Sequence, residues 1–267
     1  MKTTLYYFTG TGNSLSAAGT LQKHLDNCEL KPMAGLCLAG KKISAEKDET
    51  IGFVYPMYCA GAPNIVVRFF NLINLKSAGY VFSVITCGSS VQGSPVKPIR
   101  NLCEKAGHTL NSSWFVQMPD NYIPLGDCPS EDEQKKIFDA AGNKLLSIAD
   151  SISARENVLD KHTFAGKLMY LAAYKPFMKK IPSFDKNFTI NPHCVSCMTC
   201  VKICPVNNIT ADEGKNLQWH HHCEACLACL QFCPQEAISY KGKSDSRKHY
   251  HNPSISVNDM IEQKKTE

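Results

Sequence analysis

Cys194-x-x-Cys197-x-x-Cys200-x-x-x-Cys204-Pro205 is followed, displaced by 29 residues at every cysteine, by Cys223-x-x-Cys226-x-x-Cys229-x-x-x-Cys233-Pro234. Each copy carries an isoleucine four residues after its proline, at Ile209 and Ile238. Thiols scattered by chance do not repeat with a fixed offset, so this stretch is an internal duplication and the nucleus of a small carboxyl-terminal unit.

Three cysteines at this spacing lie on one tight loop and reach three corners of a [4Fe–4S] cube, while the fourth, beside its proline, turns toward the other copy. The spacing therefore assigns Cys194, Cys197, Cys200 and Cys233 to one cluster, and Cys223, Cys226, Cys229 and Cys204 to a second. Structural zinc competes, because Cys-x-x-Cys pairs also build four-thiolate zinc sites. It leaves the third closely spaced cysteine and the double Cys-Pro unexplained. The stretch resembles the bacterial two-cluster ferredoxins.

At the other end of the chain, Lys2–Phe8 is rich in aromatic and β-branched residues and runs into Thr9-Gly10-Thr11-Gly12-Asn13-Ser14, after which Leu15, Ala18, Leu21 and Leu25 recur at helical spacing. A strand, a small polar loop and a helix in succession place backbone N–H groups at a helix N-terminus, where a phosphate is attracted. The hydroxyls of Thr9, Thr11 and Ser14 add hydrogen bonds. A Walker loop would need Gly-Lys-Ser/Thr, and no lysine is present. A dinucleotide turn would need a third glycine where Leu15 stands. The remaining pattern, a Thr-x-Thr-Gly-Asn-Ser loop on the first strand, looks like the FMN phosphate loop of flavodoxins, with a plain glycine-rich turn as the alternative.

Downstream the pattern keeps alternating. A weak strand near Glu29–Met33, strands at Thr50–Tyr55, Tyr80–Thr86 and Ser113–Met118, and helices at Asn64–Asn71 and Val96–Ala106 precede a long helix. Ser130-Glu131-Asp132-Glu133 forms a capping box that opens this helix, which runs to about Ser153. Such alternation predicts an α/β fold, a doubly wound parallel sheet of five strands in the order 2-1-3-4-5. Ligands then sit at the carboxyl ends of the strands, which places Pro56-Met57-Tyr58 and Cys87-Gly88-Ser89-Ser90 at the site. Tyr58 offers an aromatic face to a flat ring, or is a surface tyrosine, and the backbone of Cys87 and Gly88 faces a polar edge. Cys59 and Cys87 read as small buried residues, since nothing nearby would lower their pKa. Pro119–Pro124 is too long for a minimal connection and reads as a lid, a surface meeting the clusters, or an irregular loop.

The 267 residues include fourteen cysteines, eight in the duplication and six elsewhere without disulfide-like spacing, so the expected compartment is reducing and cytoplasmic. No apolar run approaches the roughly 20 residues that cross a bilayer, and the first residues do not read as a signal peptide. The net charge of +5 is too mild for nucleic acid and suits an acidic protein partner. Residues 156–190 interleave Phe164, Leu168, Leu171, Tyr174, Phe177 and Met178 with Lys161, Lys167, Lys175, Lys179 and Lys180. This predicts an amphipathic helix, ended near Pro176 or Pro182, whose apolar side packs between two domains; a membrane-surface helix is the alternative. His220-His221-His222 diverge as consecutive residues and read as loop surface. The tail, with a short helix near Asn258–Gln263, folds back on a neighbouring surface.

Phe8–Ser14, Pro56-Met57-Tyr58, the double cysteine motif and Tyr250-His251-Asn252-Pro253 together resemble the flavodoxin–ferredoxin fusion proteins of anaerobic bacteria, over essentially the whole chain. Ser14 stands where the usual loop has threonine and keeps the hydroxyl. The resemblance implies a flavodoxin-like FMN domain over residues 1–155, a helical linker over 156–187, a ferredoxin-type domain with two [4Fe–4S] clusters over 188–242, and a tail over 243–267. It implies a soluble iron–sulfur flavoprotein that moves electrons between ferredoxin-type carriers and FMN in a reductase activity. A redox or oxygen sensor without turnover is the other expectation. No second nucleotide-binding domain is visible for NAD(P), so protein carriers or a small oxidant are the expected partners.

Overall fold

A computed structural model of the chain describes residues 2–88, 96–159 and 164–266. The amino-terminal half runs β1 (Thr3–Tyr7), α1 (Asn13–His24), β2 (Cys28–Pro32), α2 (Met33–Ala39), β3 (Ile43–Ser44), β4 (Thr50–Pro56) and α3 (Asn64–Phe69). It continues with β5 (Ile73–Asn74), β6 (Tyr80–Cys87), α4 (Val96–Lys105), β7 (Ser112–Gln117) and α5 (Glu131–Ser153). Five strands form one parallel sheet in the order β2-β1-β4-β6-β7. Counted within the sheet this is 2-1-3-4-5, the order that the alternating pattern predicts. β3 and β5 pair separately and went unread, because two residues apiece leave no periodicity.

Side chains along each strand alternate between two cores, as pleating requires. Tyr6, Phe53, Tyr55, Ile85 and Phe115 point to one face, packed by Met33 of α2, Ile65 and Phe69 of α3, and Ile99 of α4. Leu5, Tyr7, Val54, Phe82, Trp114 and Val116 point to the other, packed by Leu21 of α1 and Leu145, Ile148 and Ile152 of α5. Burial on both faces explains why the strands read as nearly continuous apolar runs. The box at α5 forms as predicted: Ser130 Oγ accepts from the Glu133 N–H, and the Glu133 carboxylate accepts from the Ser130 N–H at 2.9 Å.

From Phe164 to Lys180 the chain is helical: α6 (Phe164–Met169), a π-helical turn (Tyr170–Tyr174) and α7 (Lys175–Lys180). Of the two expected ends, Pro176 is not one, because it stands in the first turn of α7, where its missing N–H costs nothing; α7 ends at Lys180, near Pro182, the other expected end. Pro182 is the second residue of a 3₁₀ stretch, Ile181–Asn187. The predicted packing of the apolar side holds for its second half only. Met178 is buried and the Tyr174 ring covers Gly61 with its hydroxyl on the Ala62 carbonyl at 2.6 Å, whereas Phe164, Leu168 and Leu171 face solvent. Lys161 lies outside the described residues.

The carboxyl-terminal unit comprises β8 (Phe188–Ile190), α8 (Thr199–Ile203), β9 (Ile209–Ala211), β10 (Leu217–Trp219), α9 (Ala228–Gln231) and β11 (Ile238–Tyr240). The offset that relates the cysteines also relates β8 to β10 and β9 to β11. Pairing obeys the same exchange: β8 with β11 and β10 with β9, both antiparallel, Ile190 opposite Ile238 and Trp219 opposite Ile209. Left-handed residues recur in step at Ser196 and Ala225, Met198 and Leu227, and Asn207 and Glu236. Non-glycine residues held there cost about 1 kcal/mol or more each, so identical strain in both copies marks loops shaped for a purpose. The tail crosses back to the amino-terminal half and ends in α10 (Val257–Glu262), whose Met260 is fully buried with Ile203, Ala228 and Phe232.

Candidate functional site

A cavity of about 540 Å³ opens at the carboxyl ends of β1, β4, β6 and β7. Thr9, Gly10, Thr11, Asn13, Ser14, Pro56, Met57, Tyr58, Cys87 and Gly88 line it, all the described residues read from the sequence for this site except Gly12. Gly12 stands behind the wall at φ 95°, the N-cap of α1, where a Cβ would fall 2.9 Å from Asn252 and Ile255. Left-handed backbone and absent space both demand glycine there. Ser89 and Ser90 lie outside the described residues.

The loop from Thr9 to Ser14 is buried, and the N–H groups of Gly10, Thr11, Asn13 and Ser14 find no acceptor among the described residues. Buried unpaired donors are costly. Four of them at the N-terminus of the 12-residue α1 form a cradle for an anion. Its side chains are fixed by neighbours: Thr9 Oγ1 accepts from Gly12 N at 2.9 Å, Ser14 Oγ meets Thr86 Oγ1 at 2.7 Å, and Asn121 Nδ2 donates to Thr11 Oγ1 at 2.7 Å. Pro119, Asp120, Asn121 and Tyr122 also line the cavity, so the long loop after β7 is one of its walls. Met57–Ala62 forms another. Tyr58 and Gly61 exchange both backbone hydrogen bonds across Cys59 and Ala60, each at positive φ, a tight turn that presents Tyr58 and Cys59 to the cavity. Burial pushes the Tyr58 phenol well above its ordinary value, with Cys226 and Glu224 adding to the rise. Burial also pushes the Cys59 thiol up.

The tail builds the cradle from behind, which sequence reasoning missed. Tyr250 Oη and Asn252 Nδ2 both donate to Asn13 Oδ1, at 2.7 and 3.1 Å. Asn252 N donates to Thr11 O at 2.8 Å, and the Gln263 amide spans Thr9, donating to its carbonyl at 3.1 Å and accepting from its N–H at 3.4 Å. The Tyr250–Pro253 motif was the available signal; its target, some 240 residues earlier, was not readable.

Cys194, Cys197, Cys200 and Cys233 line one small cavity, and Cys204, Cys223, Cys226 and Cys229 another. Among the described residues no three His, Cys, Asp or Glu side chains form a group that could hold a metal ion; each set of four thiols lines its own small cavity. Backbone N–H groups point at the sulfurs: Asn208 to Cys204 and Ala225 to Cys223 at 3.2 Å, and Ala237 to Cys233 at 3.3 Å. Burial pushes the Cys223 thiol up to about 12 and those of Cys226 and Cys229 well above the usual range. Cys197 is exposed, and a hydrogen bond with Thr199 first of all lowers its pKa. Trp219 lines the second cavity, and its Nε1 is buried without an acceptor.

The second set adjoins the large cavity. Cys226 lines both, and its backbone touches Gly10 so closely that a Cβ there would overlap its carbonyl oxygen. Between Cys223 and Ala225, the buried Glu224 carboxylate accepts from Ile65 N at 3.0 Å and pairs with Arg68 at 2.7 Å, tying this loop to α3. Gln231 of α9 donates to the Asn121 carbonyl at 2.7 Å and accepts from Tyr250 N. The three histidines each have a separate partner: His220 meets Thr210, His221 the buried Asp185 at 2.9 Å, and His222 the Val206 carbonyl.

No family model matches the chain, and no curated protein matches it. Among solved structures, it is similar to a chain described as a flavoprotein of Bacteroides uniformis, at 17% identity and a TM-score of 0.35, over 52% of this chain and 97% of that one. It is also similar to an FMN-dependent NADH-azoreductase of Bacillus anthracis in complex with FMN, at 8% identity and a TM-score of 0.36, over 57% of this chain and 99% of that one. Both scores are too low to establish a shared fold.

Proposed function

We propose that the chain is an iron–sulfur flavoprotein that passes electrons between a ferredoxin-type carrier and a reductase reaction at FMN. The observation that carries this reading is the double membership of Cys226. It belongs to a set of four thiols and also walls the cavity whose floor is the anion cradle.

The residues fit both groups. The four buried N–H donors, the hydroxyls of Thr9, Thr11 and Ser14, and the dipole of α1 would hold a phosphate monoester, and the adjoining volume lies within the range of cofactor pockets. Tyr58, Met57 and the backbone of Cys87 and Gly88 would enclose the ring. Cys194, Cys197, Cys200 and Cys233 would hold one [4Fe–4S] cluster and Cys204, Cys223, Cys226 and Cys229 the other. The N–H···S contacts and the orphaned Trp219 Nε1 supply the donors that iron–sulfur sulfurs use.

When bound, FMN supplies one- or two-electron chemistry and each cluster one-electron chemistry. The chain's own contribution is order. Exposed Cys197 would put the first set within reach of a carrier, the second set, with Cys204 and Cys229 buried, adjoins the cavity through Cys226, and Tyr58, Pro119 and Tyr122 form part of the cavity wall. Anaerobic purification followed by analysis should return about eight iron, eight sulfide and one FMN per chain. Multiple-turnover oxidation of reduced ferredoxin, followed by stopped flow with a flavin-reducible acceptor, should accompany that loading. Loaded protein that transfers no electrons beyond its own content would refute the reductase and leave a sensor.

A further inference from the structure

The segment from Phe164 to Lys180 uses only one of its faces within the molecule. Tyr174, Phe177 and Met178 are committed inward: Tyr174 over Gly61, Phe177 to the wall of the large cavity, and Met178 to the core with its carbonyl accepting from Asn64 Nδ2 at 3.2 Å. Phe164, Leu168 and Leu171, at positions i, i+4 and i+7, are 83%, 59% and 66% exposed. That spacing puts them on one stripe of a helix. Three large apolar side chains on one short stripe form a patch rather than scattered surface residues.

Charge says what covers the patch. Lys167, Lys175, Lys179 and Lys180 are all exposed, and none pairs with a carboxylate among the described residues. The sequence holds no acidic residue from 164 to 184. A stripe of Phe and Leu bordered by unpaired lysines is the composition of a helix that lies in the interface of an anionic bilayer. An acidic electron carrier fits the lysines but would dock over a metal site, and none of these seven residues lines either cysteine cavity. Among the described residues, no helix is long and apolar enough to cross a membrane.

We propose that the Phe164–Lys180 segment docks the protein peripherally on anionic lipid, with Phe164, Leu168 and Leu171 inserted at the level of the headgroups and the four lysines among the phosphates. Because Phe177 of the same segment walls the large cavity, docking brings that wall toward the bilayer. The proposal stands on this surface alone and does not depend on what the cavity holds.

The test is co-sedimentation of the intact, cofactor-loaded protein with vesicles of phosphatidylcholine alone or with roughly 30% phosphatidylglycerol, a fraction that gives the strongly anionic surface polybasic segments respond to. The protein should pellet only with the anionic vesicles, and release as ionic strength rises, since surface attraction is screened beyond a Debye length. Leu168→Glu and Leu171→Glu together should abolish pelleting, each Lys→Gln at 167, 175, 179 or 180 should weaken it about fivefold, and Leu146→Glu on α5 should leave it unchanged. All the replaced side chains are exposed, so flavin absorbance and melting temperature should stay as in the parent. Equal pelleting with neutral vesicles, or undiminished pelleting of the double glutamate variant, would overturn the proposal. So would a dimer in sedimentation velocity that Leu168→Glu dissolves without any lipid dependence, which would assign the face to a second copy.

Discussion

Gly10→Ala asks in one residue whether the cradle and the second thiol set are built as a unit. A Cβ at Gly10 would overlap the Cys226 carbonyl oxygen and lie 3.1 Å from the Cys226 carbonyl carbon and Cβ. Both obstacles sit on a loop held by Glu224, so no side-chain rotation relieves them. Restoring normal separation takes a shift on the order of 1 Å. Overpacking of this kind costs about 1–3 kcal/mol, or roughly 2–10 °C in melting temperature for a chain of this size. A cradle displaced that far also loses alignment of its N–H donors, and charge-assisted hydrogen bonds contribute about 1.5–3 kcal/mol each. FMN affinity should therefore fall by roughly ten- to a hundredfold. Thermal denaturation and quenching of flavin fluorescence on titration read the two effects separately. Gly19→Ala is the control: it lies inside α1 with nothing near its Cβ and should stabilise by about 0.5–1 kcal/mol. A Gly10→Ala protein that melts like its parent and binds FMN equally well would refute the shared wall, and with it the proposed route from thiol set to cavity.

Two further outcomes follow from the same geometry. Gln263→Ala removes both hydrogen bonds to Thr9 at a buried position, so it should cost about 1–3 kcal/mol of stability and weaken FMN binding, measured by the same titration, while iron content stays at the parental level. Trp219→Phe keeps the ring against Phe188 but removes the unpaired Nε1 donor from the second thiol cavity; potentiometric titration should show one cluster harder to reduce and the other unmoved, and two unmoved potentials would contradict the role of that N–H.

The main sheet was legible because burial on both faces writes a strong pattern into β1, β4, β6 and β7, and because Ser130 and Glu133 announce the start of α5. The Thr9–Ser14 loop was legible as the link between β1 and α1. Its rear wall was not. Tyr250, Asn252 and Gln263 meet Thr9, Thr11 and Asn13 only through tertiary folding, and no local periodicity encodes a contact between residues so far apart. The Phe164–Lys180 segment shows a different limit. Its sequence reveals that one side is apolar, yet which apolar residues find cover depends on where Gly61 and the Ile181–Phe188 core happen to stand. Pro176 and Pro182 could not be told apart as the helix end for a related reason, since a proline in the first turn of a new helix looks in sequence like a helix end.

The exchange of strands and thiols between the two copies bears on what happens if the chain is cut. The turn from Asp212 to Asn216 joins the copies and is exposed throughout. Opening the backbone there would leave β8 still paired with β11, Cys233 still facing Cys194, and the severed tail still bonded to Asn13. The fragments would therefore migrate as a single particle under native conditions and separate only on denaturation, and neither gene half expressed by itself would complete a four-thiol set.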